Sequence, residues 1–128
     1  MAKLVEQRVR NHVIDYFDLA SSYELQLKYQ RAVPIVYVPN EVINQWQDLA
    51  LDRAAVEHSD VYSVEEILAI GRYHAVWDRV AEMLPKGFPT LRVVQALPCW
   101  DELRQAALSA REAFEPRGKM SDGQAAVH

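Results

Sequence analysis

Residues 63–84 read SVEEILAIGRYHAVWDRVAEML. At 100° per residue, Ile67, Ala69, Ile70, Tyr73, His74, Val76, Trp77, Val80, Ala81, Met83 and Leu84 share one arc wider than half a helix circumference. Arg72, Asp78, Arg79 and Glu82 occupy the narrow remainder. A helix that borders solvent needs a narrower apolar stripe, so this arc predicts a central helix covered by neighbours on most sides. Ser63 followed by Glu66 has the spacing of a capping box and marks its start. Pro85, Lys86 and Gly87 mark its end. The fold expected around it is mainly α.

Towards the N-terminus, Val5, Val9, Val13, Tyr16, Ala20, Tyr23 and Leu27 recur at steps of three and four. They predict a first helix over residues 2–30, about 40 Å long at 1.5 Å per residue. That exceeds the width of a domain this size. Either Ser21-Ser22 breaks the helix, because serine is a poor interior helix former, or its overhang packs on a second subunit as a homodimer. Pro34 and Pro39 flank the β-branched residues 35–38, so this stretch reads as a short strand or a tight connector. Asn40 then reads as an N-cap, with Glu41 against the positive helix end and a second helix over residues 41–57.

Residues 90–97 read either as a helical turn or two or as a strand. In the second case a two-stranded β pairing joins residues 35–38 with 91–94. Pro98 suits the first turn of a last helix, whose stripe is Trp100, Leu103, Ala107, Ala110 and Phe114. The expected architecture is a compact four- or five-helix bundle forming one domain over residues 1–115. Residues 115–128, EPRGKMSDGQAAVH, nearly lack large apolar side chains, so residues 116–128 are expected to form a flexible tail.

Composition narrows the function. The chain has 128 residues, half of them hydrophobic, and a formal charge of −4. This argues against nonspecific nucleic-acid binding, which needs a basic face. A helix-turn-helix formed by the second and third helices would need a longer link than usual, and its reading helix would be largely apolar. One cysteine, Cys99, precludes an internal disulfide and fits a reducing compartment. No run has the length of a membrane span, and residues 1–17 have no signal-peptide core. A cytoplasmic address is expected, with neither nucleic acid nor membrane as partner.

Motifs for chemistry are sparse. The four histidines offer no Glu-x-x-His and no His-Glu-x-x-His, so no metal is expected. His74 and Asp78 lie one turn apart, but His74 falls on the apolar arc and reads first as a core histidine. Cys99 sits where a helix N-terminus lowers a thiol pKa, yet no nucleophile signature surrounds it. The four glycines form no phosphate-binding loop, and no cofactor is implied. Glu65-Glu66 and Asp101-Glu102 lie in first turns, where the helix dipole accounts for them.

Aromatic residues are the remaining feature. Tyr37, Trp46 and Tyr62 are candidate anchors for a partner protein, because Trp and Tyr dominate interface hot spots. Tyr73, His74, Trp77 and Cys99 are candidates for the wall of a ligand pocket between helices. Two function classes follow. The first is a non-catalytic interaction protein of a bacterial kind, such as an antitoxin, an immunity protein or an adaptor. The alternative is a small-molecule-binding or enzymatic domain with its pocket near His74 and Cys99. A ligand binder predicts a sizeable cavity beside His74. An interaction protein predicts a filled core and an exposed apolar patch.

Overall fold

A computed structural model describes residues 2–49 and 53–120, and for residues 2, 3 and 53–55 the backbone alone. These described residues are mainly helical, with no strand among them. The helices are α1 (Ala2–Ala20), α2 (Tyr23–Ala32), α3 (Val38–Asp48), α4 (Arg53–His58), α5 (Val64–Met83), α6 (Leu91–Gln95) and α7 (Pro98–Phe114). They number seven rather than the four or five expected.

The extra helices come from local punctuation. Ser22 ends the first helical run and restarts it: its hydroxyl accepts the Leu25 N–H at 3.1 Å, capping α2. At 19 residues, α1 spans about 28 Å. The overhang that suggested a homodimer is therefore gone. Next, the Gln30 side chain brackets the turn after α2. Its amide donates to the Val36 carbonyl at 2.6 Å, and its oxygen accepts the Val38 N–H at 3.1 Å. The following helix begins ahead of Asn40, because Pro39 sits in the first turn, where a missing N–H costs nothing. It stops at Asp48, short of the expected residue 57.

Residues 91–94 resolve as helix. Thr90 caps them, its hydroxyl accepting the Val93 N–H at 3.4 Å. Residues 33–37 form the connection between α2 and α3. The β pairing of residues 35–38 with 91–94 therefore does not form among the described residues.

Helices α5 and α7 make the most extensive pairing, and α1 packs next most broadly, on α7. Arg79 pairs with Glu102 at one end of α5, and Glu66 pairs with Arg117 at the other. The two helices are thus antiparallel. Between α1, α3, α5 and α7 lies an aromatic core of Tyr16, Phe17, Trp46, Tyr73 and Phe114, largely in edge-on or tilted arrangements. Such rings contribute about 0.5–1.5 kcal/mol per pair beyond their buried area.

The capping box on α5 forms as read: the Ser63 hydroxyl accepts the Glu66 N–H, and the Glu66 carboxylate accepts the Ser63 N–H. The predicted covering of α5 does not. Only Glu66, Ala69, Ile70, Tyr73 and Val80 are buried on it. Val64, Leu68 and Met83 are more than half exposed. Helix α7 packs most extensively on α5, α4 packs more lightly, side chains of α1 and α3 reach it, and the remaining face meets solvent. The apolar arc overstated the burial.

A buried ion group ties α1 to α5 and to residues 117–118. Arg10, fully buried, donates to both oxygens of Glu66, at 3.1 and 2.7 Å. Its remaining nitrogen reaches the Gly118 carbonyl at 2.6 Å. Arg117 binds Glu66 from the other side, and Asn11 exchanges two hydrogen bonds with the Met120 backbone. Burial alone would raise the Glu66 pKa, but hydrogen bonds from Arg10, Arg117 and the Ser63 backbone outweigh it and lower the carboxyl below its ordinary value. Residues 117–120 are thereby fastened to α1, where composition suggested a free tail. Residues 121–128 of that expected tail lie outside the described residues.

Candidate functional site

Two of the three aromatic residues expected to meet a partner are interior. Trp46 is 4% and Tyr62 8% exposed. Trp46 packs against Tyr16, Phe17 and Tyr73, and Tyr62 lies edge-on to Phe114. Burial pushes the Tyr62 phenol up to about 12. They stabilise the core, and the helix stripes hold them there.

Of the expected pocket residues, Tyr73, His74 and Trp77 join a hydrogen-bonded wall between helices. Tyr16 donates its O–H to the Val42 carbonyl at 2.7 Å, so its oxygen accepts from Tyr73, also at 2.7 Å. Burial holds the phenols of both Tyr16 and Tyr73 neutral, well above their ordinary range. Trp46 Nε1 donates to His74 Nδ1 at 3.1 Å. Trp77 donates to the Ile43 carbonyl at 3.0 Å, and its ring lies against that of His74. His74 is thus a surface residue latching α5 to α3, not a core histidine. Cys99 is buried in the first turn of α7.

Clefts of about 170, 240 and 280 Å³ open on the described surface. Tyr73 lines the 240 Å³ cleft, and His74, Trp77 and Cys99 line none of these three. Each is also smaller than the roughly 300–1,000 Å³ of ordinary small-molecule sites. Among the described residues no group of three or more His, Cys, Asp or Glu side chains is arranged to hold a metal ion. No described helix is long and apolar enough to cross a membrane.

The third expected anchor, Tyr37, does reach the surface. It lines the 170 Å³ cleft with Pro39, Asn40, Leu84, Pro85, Lys86, Gly87, Phe88 and Val94. Its hydroxyl donates to the Pro89 carbonyl, tying the α2–α3 turn to the loop that follows α5. Its ring meets Phe88 edge-on, with centroids 5.3 Å apart. Phe88 is 69% exposed and has φ +54°, directly after Gly87 at +92°. A left-handed aromatic residue before a proline is strained, and such strain concentrates at binding and switch sites. Ile35, two residues before Tyr37, is 95% exposed, and Val93, beside the cleft residue Val94, is 51% exposed.

The apolar ledge of Tyr37 and Phe88 is the candidate site, and the exposed Ile35 and Val93 lie close to its residues in the sequence. Phe88, Ile35 and Val93 carried no periodic signal in the sequence. The available sign was the PKGFP run at residues 85–89, which places an aromatic residue between two turn formers. Compared with family models, curated proteins and solved structures, the chain finds no match.

Proposed function

We propose that this chain is a non-catalytic protein–protein interaction module. It works by burying a partner's surface, in the manner of a bacterial antitoxin, immunity protein or small adaptor, in the cytoplasm. The observation that supports this reading is the ledge. A strained, solvent-exposed Phe88 stands beside a half-buried Tyr37 whose hydroxyl is already engaged. An aromatic side chain held out in water at a conformational cost is explained by a partner that covers it. The saturated hydrogen bonds of Tyr16, Trp46, Tyr73 and Trp77 make those residues scaffold for the ledge.

Co-expression with the products of neighbouring genes tests this reading. A stable complex of fixed stoichiometry is expected by size-exclusion chromatography. Phe88→Asp should abolish it while leaving the helical circular dichroism intact. A complex indifferent to Phe88→Asp and to Ile35→Asp would contradict the reading.

A further inference from the structure

The cleft beneath the ledge differs from the rest of the surface in charge as well as polarity. Its only charged wall residue is Lys86, which makes no ion pair among the described residues. Glu41 and Glu82, the acids nearest to cleft residues in the sequence, are not among the residues that line it. In a chain of net charge −4, this end presents a lone ammonium over an apolar floor.

Size adds a second constraint. About 170 Å³ is space for one large side chain rather than a helix face. The rim offers Asn40, whose exposed side-chain amide has no hydrogen bond among the described residues, to hydrogen-bond a backbone.

We infer that the cleft binds a short segment of a partner protein that inserts one large apolar side chain between Tyr37 and Phe88 and sets an adjacent carboxylate on Lys86. The inference rests on the interaction-module reading and deepens it. The apolar side chain supplies most of the affinity, and the carboxylate supplies orientation and choice of partner.

A phage library of random dodecapeptides, selected against the full chain, tests it. Enriched peptides should carry a Leu, Ile, Met, Phe or Trp with an Asp or Glu within two residues. A fluorescein-labelled enriched peptide should lose at least tenfold in affinity on Phe88→Asn and about fivefold on Lys86→Glu. Asn adopts positive φ more readily than Phe, so Phe88→Asn should keep or raise Tm, which separates lost binding from lost fold. Enriched peptides without acidic residues, unaffected by Lys86→Glu but weakened by Phe88→Asn, would overturn the inference and leave the module reading standing. No enrichment, or binding indifferent to Phe88→Asn, would overturn the inference and count against the ledge itself. A chain dimer dissociated by Phe88→Asn would identify a second copy as the occupant and overturn it too.

Discussion

Replacing Glu66 with Gln probes the ion group under α5. The substitution keeps size and shape but removes the charge that Arg10 faces. Arg10 is fully buried and directs two of its nitrogens at the Glu66 carboxylate, at 3.1 and 2.7 Å. A glutamine turns one NH₂ towards those donors, so at least one guanidinium N–H loses its acceptor. Breaking a buried pair from one side costs about 3–5 kcal/mol, because the other charge stays buried. For a domain of this length, 1 kcal/mol moves Tm by roughly 3–5 °C. Tm should therefore fall by about 10–20 °C. Urea unfolding should show the loss in midpoint with little change in m. Removing both charges in Arg10→Met/Glu66→Leu should recover most of it, to within about 1.5 kcal/mol of the parent, since well-packed apolar replacements of buried pairs are often neutral. Arg117 is 37% exposed and can turn to solvent in that double variant. A Glu66→Gln loss below about 1 kcal/mol, or a double variant no better than the single, would refute the argument.

Three further outcomes are expected. The folded-state pKa of Glu66 is lowered, so its contribution is complete above the unfolded carboxyl value of about 4.3 and is lost as pH falls through the folded value; urea midpoints against pH should show a steeper acid limb in the parent than in Glu66→Gln. Tyr16→Phe should cost about 1–3 kcal/mol, because it strands the buried Tyr73 hydroxyl, and Tyr73→Phe should cost about 1 kcal/mol, because Tyr16 keeps its bond to Val42; chemical denaturation of both variants in the same buffer gives the order. Ending the chain at Glu115 removes Arg117 and the Gly118 carbonyl from the ion group, so calorimetry should show a loss of about 2–4 kcal/mol, whereas a tail with no structural role would leave Tm unchanged.

Local punctuation was the legible part of the sequence. The Ser63–Glu66 box, the Ser21-Ser22 break and Pro98 at the head of the last helix act within one turn of themselves, so short windows reveal them. Other features need distance. Glu66 looked like half of a dipole-facing acidic pair, but it neutralises Arg10, 56 residues away, which no periodicity shows. His74 sat on the apolar arc and is nevertheless at the surface, because the arc's width counted hydrophobic residues such as Met83 that no neighbour covers. Residues 35–38 read from β-branching and proline as a short strand or a tight connector, and hydrogen bonds from the Gln30 side chain to Val36 and Val38 go with the connector. The candidate site was found in part. Tyr37 was named, while Trp46 and Tyr62 went to the core because interface anchors and core aromatics share one composition. Phe88 was missed because its significance lies in a backbone angle.

The account depends most on the ledge being the surface a partner covers. Benzophenone-bearing residues placed singly at positions 35, 68 and 108, three exposed apolar sites, in the chain at its native cellular level, test this directly. The account predicts one discrete cross-linked product from position 35, lost on Phe88→Asp, and none from positions 68 or 108. Cross-linking from position 68 or 108 alone, with position 35 silent, would contradict it.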